Sequence, residues 1–302
     1  MSAVERLTKI FKSAKRIDFD DCSKIVLLSD CHRGDGSWTD DLARNENIYY
    51  SALNYYFNNG YTYIELGDGD ELWENKEFSV IAEAHKDTFL LLQKFYIQKR
   101  FYMLYGNHDI VKQNEKFIRS NLCCYFDSRL EKKQPLFEKI KPTEALVLRH
   151  SQTGNSIFLI HGHQVDFLNF RLWRLARFLV RHFWRRLEAF GINNPTSPAK
   201  NNSKKSSVES VLSKWAQKER HILIAGHTHR PVFPNLGEPL YFNDGCCVHP
   251  YGVTAIEIAE GCVTLVKWCI GTTPEGLLIV KKEIVAGPEG LQNLFSSVES
   301  FT

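Results

Sequence analysis

Five short blocks of the sequence carry side chains suited to metal chemistry: Asp30-Cys31-His32, Gly67-Asp68-Gly69-Asp70-Glu71, Gly106-Asn107-His108-Asp109, His161-Gly162-His163 and Gly226-His227-Thr228-His229. The donors among them are Asp30, His32, Asp68, Asn107, His161, His227 and His229, all imidazole, carboxylate or amide oxygen with no thiolate in the set. Ligands of that softness suit Mn, Fe, Zn or Co. Seven donors exceed what one tetrahedral zinc site uses, and a carboxylate such as Asp68 can bridge, so two divalent ions about 3.5 to 4 Å apart are the simplest arrangement. Such a pair clamps phosphoryl oxygens and acidifies a water placed for in-line attack, which is the chemistry of phosphoester hydrolysis. The two-residue spacing of Asp30 with His32, and of His227 with His229, predicts an extended backbone that turns both members of each pair to one side.

Each block follows a short apolar or aromatic run, at 25–28, 61–66, 101–105, 157–160 and 222–225, and each run reads as a buried strand. Helices are predicted over 40–57 and about 78–94, so strand alternates with helix in the α/β manner. In such a sheet, ligands bind in the crevice beyond the carboxyl ends of the strands, where segments distant in sequence converge. A lone histidine after a strand is more often an ordinary core or surface residue; five coincident blocks reverse that balance. His163, Asp166 and Glu71 stand between support of a site and ordinary loop polarity. Arg33 offers a bidentate match to a phosphate, with a solvated arginine as the competing reading.

In their order the blocks resemble the calcineurin-like metallophosphoesterase family, whose pattern is D-x-H, G-D-x-x-D or E, G-N-H-D or E, a lone histidine in an H-G turn, then G-H-x-H. The resemblance covers about 25–231. It implies an α/β fold, a metallophosphoesterase-type two-sheet β-sandwich flanked by helices, forming a single domain over 1–302. It further implies a dinuclear metal-dependent phosphoesterase that hydrolyses a phosphate ester or pyrophosphate. Carried over residue by residue, it implies Asp30, His32, Asp68 and His229 at one ion, and Asp68, Asn107, His161 and His227 at the other. Manganese is foremost among the divalent metals, ahead of Fe, Zn and Co. His108 is then expected to touch the scissile phosphate or protonate the leaving oxygen, with Asp109 holding its ring. Arg33 and His163 are the weaker candidates for substrate contact.

A helical, cap-like insertion is expected at about 164–219. Within it, 167–190 places Arg171, Arg174, Arg177, Arg181 and Arg185 on one helical face, opposite Leu168, Leu172, Leu175, Leu179, Phe183 and Leu187. A core-packed helix with a solvated basic side, a lid over an anionic or lipidic substrate, and a peripheral membrane contact all fit that pattern. The polar stretch 193–207 reads as a flexible loop. Bacterial UDP-2,3-diacylglucosamine pyrophosphatases, which are similar to this chain in the place and texture of the insertion, read G-N-R-D where this chain has Gly106-Asn107-His108-Asp109. That departure moves the expectation toward a general phosphoesterase. The expected partner is a phosphorylated small molecule or a lipid-linked substrate, with a lipid-linked UDP-sugar pyrophosphatase and a non-catalytic membrane or partner-binding module as alternatives.

Lysine and arginine number 38 against 35 acidic residues in 302, a net charge of +3 that disfavours nucleic acid as a partner. Eight cysteines with no C-x-x-C pair point to a reduced, cytoplasmic chain, with peripheral contact at the inner membrane surface through 167–190 as the variant of that placement. The first residues alternate charged and apolar types at helical spacing and lack the run of about 7 to 15 apolar residues of a secretory signal. Beyond His229 the sequence turns β-branched, and the turn at 259–261 predicts a hairpin.

Overall fold

A computed structural model describes residues 2–127, 130–166 and 202–299. Two sheets form the centre. The first has the order β1 (Lys15–Phe19), β7 (Ala145–His150), β8 (Ser156–Ile160), β9 (Ile222–Ala225), β10 (Tyr241–Asn243). The second has the order β13 (Leu278–Gly290), β12 (Cys262–Thr272), β11 (Val253–Ala259), β2 (Ile25–Leu28), β3 (Thr62–Leu66), β4 (Phe101–Leu104). Strands β2, β3 and β4 are parallel, as are β8, β9 and β10, while β11, β12 and β13 form an antiparallel meander. The small pair β5 (Cys124–Asp127) and β6 (Lys132–Pro135) stands apart.

The site-bearing strands are mostly apolar because both of their faces are buried, with Glu65 of β3 as a buried charged exception. Ile25, Leu27, Ile64, Leu66, Ile157, Leu159, Ile222 and Ile224 meet between the sheets. Their neighbours Val26, Leu28 and Tyr63 pack outward on helices α2 (Glu46–Asn58) and α4 (Lys86–Ile97). On the far side, Phe158, Ile160, Leu223 and Ala225 pack on α1 (Ala3–Ser13) and the helix Asn202–Glu219, through Leu7, Ile10, Leu212 and Trp215. Period-two alternation thus feeds two cores from one strand. The predicted sandwich with flanking helices is the fold found, and the polar blocks extend from the carboxyl ends of β2, β3, β4, β8 and β9.

Three elements differ from the sequence reading. The helix expected from 40 starts at Glu46, because the Asp40 carboxylate accepts the amides of Gly36 (2.9 Å) and Leu42 (3.0 Å) and so holds a loop instead. The helix expected over 78–94 is two, α3 (Phe78–Ala84) and α4, meeting at His85, whose ring nitrogens contact Asp40 at 2.8 Å and Glu46 at 3.0 Å. The loop expected over 193–207 gives way to helix at Asn202, since the buried residues Val208, Leu212, Trp215 and Ala216 anchor a helix that extends back through polar positions. The hairpin at 259–261 is present, with Glu260 and Gly261 both at positive φ, as a tight two-residue turn between β11 and β12 requires. The arginine-rich stretch 167–190 lies outside the described residues. No helix among the described residues is long and apolar enough to cross a membrane.

Candidate metal centre

Five of the seven candidate donors have left-handed backbones: Asp30 (φ 51°), His32 (47°), Asp68 (51°), His227 (70°) and His229 (54°). The extended spacing predicted for Asp30/His32 and His227/His229 is therefore corrected. Each of these residues turns the chain sharply just past a strand end, a strained conformation that persists only where the surroundings dictate it. The surroundings are tight. A Cβ on Gly106 would collide with the Asp68 carboxylate, and one on Gly226 with Ser29 and Asp30. Only glycine lets those loops approach so closely.

The turns gather the donors into two groups. In the first, Asp30 Oδ1 lies 3.0 Å from His229 Nε2 and 3.7 Å from His32 Nε2, and the two imidazole nitrogens face each other at 3.4 Å. In the second, Asp68 Oδ2 lies 3.1 Å from His161 Nε2, with His227 completing the cluster within 4.8 Å. Asn107 is buried on the β4 loop, next to His108, whose amide donates to Asp68 Oδ1 at 2.8 Å. Asp30 Oδ1 and His161 Nε2 are buried against the other donors of their own groups, while Asn107 Oδ1 and His227 Nε2 are buried and make no hydrogen bond. Buried polar atoms without hydrogen bonds are rare, and these are ligand-type atoms, so the residues present fit divalent cations.

Supporting contacts fix the rings. Leu66 O accepts from His161 Nδ1 at 2.9 Å, leaving Nε2 bare toward Asp68. Glu71 Oε2 lies 2.9 Å from His32 Nδ1 and does the same for that ring. Asp30 Oδ2 accepts from Ser29 Oγ (2.5 Å) and the His227 amide (2.8 Å). Ser29 Oγ also lies 2.7 Å from Asp244 Oδ1, and one hydroxyl proton cannot serve two carboxylates. Burial and the charge of Asp30 push Asp244 well above the ordinary carboxylate range. The chain of bonds therefore runs from Asp244 through Ser29 to Asp30. Asp244 was missed by the sequence reading; its signal is the Asn243-Asp244-Gly245 in which β10 ends.

The electrostatics follow from packing carboxylates against rings. Burial disfavours charge on His229 and His161, yet Asp30 lifts His229 to about 10 and Asp68 lifts His161 to about 9. Burial likewise opposes charge on Asp68, which the ring of His161 nevertheless holds far below the ordinary carboxylate range. Burial and the charge of His161 keep His163 and His227 below the ordinary histidine value.

Two expectations about roles are corrected. Asp109 does not hold the His108 ring. Its carboxylate accepts the amides of Asp68 (3.3 Å), Gly69 (3.1 Å) and Gly106 (2.7 Å) and the Lys112 ammonium (2.6 Å), so it ties the β3 and β4 loops together. The ring is held by Glu71 Oε2, 2.6 Å from His108 Nδ1, and by Trp73, stacked at 4.3 Å. Arg33 is fully buried and bonds Asp70 (2.7 Å), Glu65 (2.8 Å) and Tyr49 (3.1 Å), so it has no free guanidinium to offer a substrate. With Lys112, 2.6 Å from Asp70, it forms a charged core beneath the loops and, against the opposing effect of burial, holds Asp70 at about 2. His163 is buried beside the second group, its ring 5.4 Å from that of His161, and Asp166 reaches to 3.8 Å from His227. His108, with 23 % of its side chain exposed, is the most open of the candidate residues.

The fold and donor cluster together define an α/β sandwich with a candidate metal centre at its strand ends. Residues 23–231 match the family described as calcineurin-like phosphoesterase, and the chain belongs to that family. Among solved structures it is similar to Vps29 of Chaetomium thermophilum, at 11% identity and a TM-score of 0.38, over 87% of this chain and 96% of that one. It is also similar to the 5'-nucleotidase of Candida albicans SC5314, at 12% identity and a TM-score of 0.31, over 95% of this chain and 55% of that one. A comparison with curated proteins finds no matching sequence.

Proposed function

We infer that this chain is a dinuclear metal-dependent phosphoesterase acting on a phosphate ester or pyrophosphate of a small molecule. The observation that carries the reading is the convergence of the buried ligand atoms Asp30 Oδ1, Asn107 Oδ1, His161 Nε2 and His227 Nε2 from four separate loops, with Asn107 Oδ1 and His227 Nε2 making no hydrogen bond. Asp30, His32 and His229 would hold one ion; Asn107, His161 and His227 would hold the other; Asp68 would serve both. Manganese is the proposed metal, in keeping with an all nitrogen and oxygen donor set. Bound divalent cations would neutralise phosphoryl charge and make water a nucleophile near neutral pH.

The chain's own groups supply the rest. His108 sits at the open side, and Glu71 against its Nδ1 keeps a proton there and leaves Nε2 to exchange one with the leaving oxygen. Stacking on Trp73 limits rotation of that ring. Asp109 and Lys112 lock the loops that set the direction of Asp68 and Asn107. His163 and Asp166, beside His161 and His227, support the second group rather than the substrate.

The test is turnover of a generic phosphomonoester and phosphodiester with Mn²⁺. Asp68→Ala is expected to lower turnover by about a hundredfold or more; equal activity in the variant counts against the reading.

A further inference from the structure

Strand β13 ends the six-stranded sheet, and among the described residues no strand pairs with its outer edge. Such edges are ordinarily blunted, because their free amides and carbonyls template pairing with other chains. This one is long and carries exposed Leu278, Ile279, Ile284 and Val285, with exposed Ile270 on the neighbouring β12. Its ladder with β12 is regular from Leu278 to Ile284, and Val285 sits at the irregularity that follows.

The order Ile279-Val280-Lys281-Lys282-Glu283-Ile284-Val285 is nearly self-complementary when read in reverse. Antiparallel pairing of two copies about an axis through Lys282 sets Ile279 opposite Val285, Val280 opposite Ile284, and Lys281 opposite Glu283. Two-fold symmetry makes each match twice. Moving the axis one residue back sets Lys281 against its own copy and Ile279 against Glu283, and one residue forward sets Glu283 against its own copy and Lys281 against Val285. At the axis itself Lys282 meets its own copy, but its ammonium is already bound to Glu257 at 2.9 and 3.1 Å and turned over the Tyr55 ring. Lys281 and Glu283, 2.6 Å apart and each nearly half exposed, lie on the opposite face, free to join their symmetry mates in a square of alternating charge.

We propose that this edge docks a second copy of the same chain, two β13 strands joining antiparallel about Lys282 so that the sheet runs on through the dimer. Apolar pairs flank the charged centre and supply contact area, while the charge order sets the register. No candidate metal ligand lies on β12 or β13, so the inference stands apart from the catalytic reading.

The experiment is sedimentation equilibrium of the full chain over a concentration series, with far-UV circular dichroism and thermal midpoint checking that each variant is folded. Wild type is expected to associate to twice the mass of one chain. K281E and E283K should each weaken association by about tenfold or more, because two opposite-charge pairs become like-charge pairs. An equimolar mixture of the two singles should associate again, since both charges at positions 281 and 283 are then negative on one chain and positive on the other. The double variant, in which the two charges are exchanged, should recover the wild-type constant. A wild type that stays monomeric, singles that associate as wild type does, or a mixture that fails to associate overturns the proposal.

Discussion

Removing metal and raising pH should destabilise this protein in a defined window. In the metal-free chain His161 and His229 carry protons that Asp68 and Asp30 hold in place. The rise of His161 from 6.5 to about 9 corresponds to about 3 kcal/mol, and that of His229 to about 10 corresponds to about 5 kcal/mol, at roughly 1.36 kcal/mol per pH unit. The two rings share carboxylate neighbours, so together they contribute a few kcal/mol rather than the sum. A raised folded pKa stabilises fully below the unfolded value, near 6.5, and the contribution is lost as pH climbs through 9 to 10. The depressed carboxylates Asp30, Asp68 and Glu71 act in the other direction, contributing above their unfolded values near 4 and losing that contribution in acid. Chelator-treated protein followed by circular dichroism should therefore melt roughly 5 to 10 °C lower at pH 9.5 than at pH 6.5. Saturating Mn²⁺ should abolish the slope, because cations take the place of the protons. A metal-free protein as stable at pH 9.5 as at 6.5 would refute the assignment of those rings to carboxylate-rich clusters.

Three substitutions test the roles of neighbouring residues. His108→Ala should cost about 10² to 10⁴ in turnover while metal content, read by plasma mass spectrometry, stays at the wild-type level; loss of metal with turnover per bound ion intact contradicts a proton-transfer role. Glu71→Gln should shift the pH profile of kcat, because it removes the charge against His108 Nδ1, whereas Asp109→Asn should act first on metal affinity by loosening the β3 and β4 loops; the reverse pattern would restore Asp109 as the partner of the ring. Arg33→Met should cost about 3 to 5 kcal/mol in urea unfolding by removing the buried guanidinium that bonds both Glu65 and Asp70, with KM nearly unchanged in whatever enzyme folds; a KM effect without destabilisation would return Arg33 to the substrate.

The strands were legible because Ile25 to Leu28 and Ile222 to Ala225 are buried on both faces and so leave no polar position in the run. The donors were legible because metal chemistry restricts residue type, and strand ends are where an α/β sheet can gather them. Partnerships were not. Asp109 follows His108 in the chain, yet a turn points its carboxylate back at three amides, while Glu71, on another loop, reaches the ring. Arg33 read as a phosphate contact or a solvated arginine, because nothing in the spacing shows that Glu65 and Asp70 reach it from β3 and the loop after it. Left-handed donors left no trace in composition, because an aspartate or histidine takes that conformation only when neighbouring loops dictate it. The Asp244 to Ser29 to Asp30 chain spans segments too far apart for spacing to reveal.

The most direct measurement is anomalous diffraction from Mn²⁺-loaded crystals. Two peaks are expected, one among Asp30, His32 and His229, the other among Asn107, His161 and His227, with Asp68 touching both. No peak within this cluster, or a single peak that leaves Asn107, His161 and His227 without a cation, would contradict the dinuclear centre.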